Sequence, residues 1–296
     1  MKTTALQRAG ILIALFFLFS FNAWSAENLK PFMLVASNTT DFNTAVESTK
    51  NKLQSGGFDI VGEYSPYAGA EVIVVSSDEL KASAAKTKFG GYGAVVRVSV
   101  TKDGDKIEVA YSNPVYWADA YRLDNDQADV AAKLITALGD AKPFGSEKGL
   151  TAKKLRKYHY MAFMPYFDDP GKLGGADSYA DLLAKINSNL EAGKSGIKKV
   201  YEVKIPGKDE TVIGVAMTKG AAADKSIMGK IDIAGTRHTA HLPYEMLVSG
   251  NEAYALSAKF RIALSFPDLS MIGKGSFVEI MDAPPAIKEQ LSTLTK

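Results

Sequence analysis

Two runs of alternation, Val96-Arg97-Val98-Ser99-Val100 and Ile107-Glu108-Val109-Ala110-Tyr111, flank the turn Thr101-Lys102-Asp103-Gly104-Asp105. Successive strand side chains point to opposite faces, so this pattern fits an antiparallel hairpin with one buried face rather than a helix. Asp-Gly supplies the positive φ that a tight connection needs. Pro114 ends the second strand because it has no N–H for the ladder. Tyr116, Trp117 and Tyr121 follow at helical spacing. A chain with this segment has to build an antiparallel sheet and cover one of its faces.

The N-terminus reads as a secretory leader, residues 1–26. Lys2 and Arg8 supply the positive end, Ile11–Trp24 the apolar run, and Ala23-Trp24-Ser25-Ala26 the small residues for cleavage. The apolar run is shorter than the roughly 20 residues of a comfortable membrane span. No later segment is apolar enough to cross a bilayer, so the processed chain is expected in the periplasm or outside the cell. The leader holds two of the 35 basic residues and none of the 33 acidic ones, which leaves the processed chain neutral. A neutral chain is a poor partner for nucleic acid or an anionic surface. With no cysteine, disulfides, thiolate metal sites, cysteine nucleophiles and a lipidated cysteine anchor are excluded.

The expected fold class is α+β: two tandem domains, each a mainly antiparallel sheet with helices packed on one face. The first spans 27–140, a linker 141–157, the second 158–296. In the first, Met33–Ala36 is a strand and Thr40 or Asp41 caps a helix over Asp41–Gln54 that buries Phe42, Val46, Thr49 and Leu53. Strands follow at Phe58–Tyr64 and Val72–Val75. Ser76–Glu79 forms a capping box, the hairpin comes next, and a helix over Asp126–Leu138 stops at Gly139. In the second, Tyr158–Phe167 is expected as a strand and Gly171–Gly175 as a flexible loop. A helix starts near Asp177, hairpins are expected over Ile197–Thr218 and His241–Leu264, a short helix at Asp224–Ile231, and a last helix after Asp282-Ala283-Pro284-Pro285. Ala94–Val100 lines up with His241–Val248, and Asp105–Leu123 with Asn251–Leu269. The element order therefore repeats, as an internal duplication would make it.

The pattern Val109-x-Tyr111-x-Asn113-Pro114-x-Tyr116-x-x-x-x-Tyr121 resembles the end of the family known as domain of unknown function 302. The resemblance covers Phe32–Leu123 and implies a small α+β sandwich, not an activity. The second half has Leu256-Ser257-Ala258-Lys259 where the first has Tyr-Ser-Asn-Pro, so a role for that motif does not carry over.

The residues offer few ways to do chemistry. His238 and His241 are a metal candidate, but three-residue spacing on a strand sends side chains to opposite faces, and no carboxylate stands close in sequence. His159 reads as a structural side chain in an apolar run. Gly171–Gly175 matches neither phosphate-loop nor dinucleotide spacing, and Lys153–Lys157 reads as a solvated linker end. Glu63, Asp119 and Glu245 lie nearest to apolar surfaces, and a hydrolase or isomerase using such carboxylates in an interdomain cleft is one alternative. Tyr64, Tyr67, Tyr111, Asn113, Tyr116, Trp117 and Tyr121 form an aromatic group of the kind that lines ligand grooves, interfaces or cores. The reading drawn from all this is a non-enzymatic binding protein for a small apolar molecule or a periplasmic partner protein, with no cofactor. The alternatives are the carboxylate enzyme and a metal protein using His238 and His241.

Overall fold

The computed structural model describes residues 28–38, 41–161, 164–233 and 235–296. The expected leader lies outside them. The first half runs β1 (Phe32–Asn38), α1 (Phe42–Ser55), β2 (Asp59–Tyr64), β3 (Ala70–Ser76), α2 (Asp78–Ala85), β4 (Val96–Asp103), β5 (Lys106–Ser112), α3 (Pro114–Ala120), α4 (Ala128–Leu138) and β6 (Lys142–Phe144). The short α5 (Ala152–Leu155) leads to β7 (Gly171–Gly175), α6 (Tyr179–Glu191), β8 (Ile197–Lys204), β9 (Glu210–Met217), α7 (Asp224–Ile231), β10 (Tyr244–Ser249), β11 (Glu252–Ala255), α8 (Ala258–Ser265) and α9 (Ala283–Thr293). The fold is α+β, with two antiparallel sheets.

The strand orders are β2-β3-β4-β5-β1-β6 and β7-β11-β10-β9-β8. Read from β8, the second sheet repeats the first five strands of the other, element for element. Each short helix after the hairpin, α3 and α8, follows the same two strands in both copies. The predicted repeat of β4, β5 and α3 in the second half is thus present as topology.

The halves are not two beads on a string. Val96, Val98, Val100, Ile107, Val109 and Tyr111 point outward into a core shared with Leu53 of α1 and Val130 and Leu134 of α4. Ile213, Val215, Met246 and Val248 point the other way, into a core with Leu182 and Ile186 of α6 and Ile287 and Leu291 of α9. The intervening positions face each other. Val72 and Val74 of the first sheet share one core with Tyr201, Val203, Val212 and Leu247 of the second. The result is four layers, helix, sheet, sheet, helix, in which each sheet buries both faces. Segment 141–157, expected as a linker, is built into the fold: β6 pairs with β1, and Leu150 bridges Leu29.

Local signals mostly act as read. Asp41 caps α1 by accepting from Thr44 N–H, Ser77 caps α2 by accepting from Leu80 N–H, and Asn113 caps α3 ahead of Pro114. Three expectations fail. Tyr158–Phe167 forms no strand among its described residues. Two of its rings are drawn into the inter-sheet core, where Tyr158 packs on Phe260 and Phe167 stacks on Tyr121 at 5.3 Å. The edge position beside β11 goes to Gly171–Gly175, read as a loop, because glycine lets the chain's C-terminus close over it. A Cβ at Gly174 would come 2.8 Å from Thr295 Cβ. The strand expected to run from Glu252 to Leu264 stops at Ala255 and becomes α8. Phe260 and Leu264 enter the inter-sheet core while Ala258 and Ile262 enter the core under α9, so a helix buried on two sides imitates a strand's alternation.

Candidate functional site

Arg97 of β4 and Glu245 of β10 project from the facing sheets into the inter-sheet core. Arg97 Nη1 donates to Glu245 Oε1 at 3.0 Å, and Tyr201 Oη donates to the same oxygen at 2.7 Å. Arg261 of α8 donates through Nη1 to Glu245 Oε2 and through Nη2 to the His241 carbonyl at 2.6 Å. All three charged side chains are at most 3 % exposed. Trp117 carries the Arg97 guanidinium 5.1 Å and the Arg261 guanidinium 5.9 Å from its ring. One carboxylate therefore serves two cations, with an aromatic face dispersing the excess charge. Burial and the Glu245 charge raise the Tyr201 phenol well above its usual value, and burial, Arg261 and Arg97 push His241 well below its own.

The aromatic group expected to form one patch is divided. Tyr111 lies in the outer core under α1 and α4, on the opposite face of β5 from Trp117. Tyr116 donates to the Leu264 carbonyl at 2.9 Å, which ties α3 to α8, and Trp117 Nε1 donates to the Pro31 carbonyl at 3.0 Å. Tyr121 packs among Tyr92, Trp117 and Phe167. Asn113 caps α3 and donates to the Lys30 carbonyl. Tyr64 and Tyr67 lie elsewhere, bonded to Asp224 and Thr239 across the join between the halves. Tyr111, Asn113, Tyr116, Trp117 and Tyr121 are buried and do not line an open groove, and the polar tips of Asn113, Tyr116 and Trp117 hold elements together.

The two histidines flank the Phe266 ring, His238 stacked on it at 4.6 Å and His241 edge-on at 5.5 Å. His241 Nδ1 meets Ser265 Oγ at 2.7 Å and Nε2 meets Tyr244 Oη at 3.0 Å, so both ring nitrogens are engaged. His238 Nδ1 meets Asp232. Among the described residues, no group of three His, Asp or Glu side chains is placed to hold a metal. The carboxylates do not converge either. Glu63 pairs with Lys50, Asp119 with Arg156, and Glu245 with the two buried arginines. Side chains fill the space between the sheets where a carboxylate cleft would need to open.

The concave apolar feature is a groove beside α8, which the sequence reading missed. Ile262, Ala263 and Phe266 form its floor, Tyr160, Met161 and Met164 one wall, and Leu269, Met271 and Phe277 the other, around about 120 Å³. Tyr160 Oη touches Met271 Sδ at 3.0 Å across it. Met161 is 54 % exposed, and beyond the groove Ile272 is 78 % exposed and Met281 56 %. Lys259 stands at the rim with no ion-pair partner among the described residues. Methionine's unbranched, polarizable chain adapts to irregular apolar shapes. The sequence signal was there, as methionines and aromatics in two loops about 110 residues apart, but nothing local says that those loops meet. A larger concavity of about 850 Å³ runs along α1 and is lined by the exposed polar side chains of Asn43, Thr44, Glu47 and Ser48.

No family model, no curated protein and no solved structure matches this chain.

Proposed function

We propose that this chain is a non-enzymatic periplasmic binding protein that takes a small amphipathic molecule into the groove beside α8. The observation that carries the reading is the groove itself: a methionine and aromatic lining, left partly exposed, on a molecule whose other aromatic side chains are largely buried. Ligand sites are concave, mostly apolar and marked by a few polar groups at fixed places. Here Lys259 at the rim supplies one cation, which suits an apolar chain ending in a single acidic group. The separate placement of Glu63, Asp119 and Glu245, each already paired, supports binding over carboxylate catalysis. The leader-like N-terminus supports export, and the Tyr111–Tyr121 pattern supports membership of the domain of unknown function 302 family, which brings no activity with it.

Medium-chain fatty acids and the matching alcohols, followed by native mass spectrometry and thermal shift, test this. Binding is expected for both, tighter for the acid. Met271→Glu should abolish it, and Lys259→Gln should remove the preference for the acid. No binding of either probe by the parent chain would sink the proposal. The exposed rim of Ile272, Val278 and Met281 favours a second reading, an apolar segment of a partner protein on the same face.

A further inference from the structure

A further concavity, of about 310 Å³, opens at the join of the two halves. Tyr67, Thr101 and Lys102 reach it from the first half, and Lys225, Gly229 and Arg237 from the second. Its inner wall is fixed. Thr101 Oγ1 donates to Thr239 Oγ1 at 2.8 Å, Tyr67 Oη shares a hydrogen bond with the same hydroxyl at 2.7 Å, and Arg237 Nη2 donates to Asp103 at 2.7 Å. Asp232 is the carboxylate among the described lining residues. It is already engaged, accepting from His238 N–H at 3.0 Å and facing that ring's Nδ1 at 3.2 Å. Glu108 accepts from Arg237 N–H at 2.8 Å, and burial raises its pKa. Lys102 and Lys225 are left exposed, with no ion-pair partner among the described residues.

Two observations point to an acidic ligand here. Gly229 lies inside α7, where glycine is less favourable than alanine. Neither a positive φ nor crowding calls for it, since a Cβ there would meet nothing within 4 Å. What bare helix backbone offers is close approach by a bound molecule. The other observation comes from the repeat. Ala70 lies opposite Thr101 as Glu210 lies opposite Ser249 in the second copy. There Glu210 fills its end of the seam with a carboxylate, accepting from Gly91 N–H at 2.9 Å and Ser249 Oγ at 3.3 Å, while Lys208 donates to the Thr87 carbonyl at 2.8 Å. At this end Ala70 brings no carboxylate, and both lysines stay open.

We propose that this concavity binds a small organic dianion, a phosphate monoester or a dicarboxylate, with its charges on Lys102 and Lys225 and its body on Gly229. Two ammonium groups match two negative charges. Lysine, a point charge on a flexible stem, can reach a ligand that Arg237, held by Asp103 and the Asp232 carbonyl, is not free to clamp. The volume suits a small molecule. Because both ammonium groups are solvated, binding weakens as salt rises. The site is separate from the groove beside α8 and takes the opposite chemistry, so either reading can fail alone.

Calorimetric titration of the full chain at low salt with glycerol phosphate, succinate and glycerol tests this. One or both of the dianions should bind at a single site, which also fixes whether phosphate or carboxylate is preferred, and glycerol should not bind. Lys102→Gln and Lys225→Gln should each weaken binding roughly tenfold. Gly229→Leu should fold with an equal or higher Tm, because α7 gains a better helix former in open space, and yet lose binding. Met271→Glu, at the groove beside α8, should leave dianion binding unchanged. No binding of either dianion by the parent chain overturns the proposal. So does binding that persists at full strength in both lysine variants or in Gly229→Leu.

Discussion

Arg97 and Glu245 occupy the same place in the two copies of one topology, each the second residue of its copy's central strand, and they meet as a 3.0 Å ion pair. Their neighbours correspond as well. Arg97 lies opposite Val74, which lies opposite Gly62, while Glu245 lies opposite Gly214, which lies opposite Tyr201. Gly62 and Tyr201, again equivalent, touch each other where edge strands β2 and β8 meet. Equivalent residues that contact one another mark an approximate two-fold axis. Near such an axis a repeated arginine would face an arginine. The copies differ there in sign of charge and in side-chain size, and the difference is what lets the two faces close.

Removing the single carboxylate should therefore cost more than removing one of the two cations. Glu245→Gln leaves two buried guanidinium groups without a counter-charge, and a loss of about 3–5 kcal/mol is expected. Arg97→Met leaves Arg261 and Glu245 as a one-to-one pair and should cost clearly less. Urea unfolding of both variants measures the order, and equal losses would show that charge count does not govern this core.

The glycines under Tyr201 should resist the smallest enlargement. A Cβ on Gly214 would come 2.7 Å from Tyr201 Cζ, and one on Gly62 would come 2.9 Å from Tyr201 Cβ and closer still to the Val200 carbonyl. Backbone on one side and a fully buried ring on the other leave little room to yield. Gly214→Ala and Gly62→Ala are each expected to destabilise by about 1–3 kcal/mol, read from urea midpoints. Gly207→Ala, where a Cβ meets nothing within 4 Å but φ is +71°, separates backbone strain from crowding.

Asp224 should make the protein less stable as pH rises from about 4 to about 7. Its carboxyl is buried, accepts from Met217 N–H and Tyr64 Oη, and keeps Oδ1 unpartnered among the described residues. Burial raises its pKa from 3.8 to about 7. Between those values the native state holds a proton that the unfolded chain gives up, so the contribution of the protonated carboxyl is complete below about 4 and is lost by about 7, at no more than about 1.4 kcal/mol per pH unit. Asp224→Asn, which cannot ionise, should flatten that part of the stability profile measured by denaturant titration at several pH values. A slope unchanged in Asp224→Asn would assign it elsewhere.

Trp117→Ala should report on folding rather than on ligand binding. The ring is 5 % exposed, donates to the Pro31 carbonyl and backs both buried arginines. A loss of about 3–5 kcal/mol is expected from the cavity alone. Variant protein that remains folded at low temperature should still bind at the α8 groove. Lost binding with unchanged stability would return the aromatic group to the role of a ligand site.

Much of this protein could be read along the chain. The alternation of Val96–Tyr111, the Asp-Gly turn, the caps at Asp41, Ser77 and Asn113, and the repeated order of strands and helices are local, and local backbone chemistry decides them wherever they occur. The misreadings, Tyr158–Phe167, Gly171–Gly175 and Glu252–Leu264, share a cause. In each, apolar or glycine residues were judged against one buried face, while the structure gives those segments two packing neighbours or a close backbone approach. Sequence by itself determined most of the elements, and it determined that Arg97, Glu108 and Ser99 would lie on the face of the sheet opposite its valines. Only the tertiary structure decided that this polar face would be buried against its own repeat. A period of two says which side chains share a face, but not what that face meets. The pairing of Arg97 with Glu245, 148 residues apart, follows from how two twisted sheets stack.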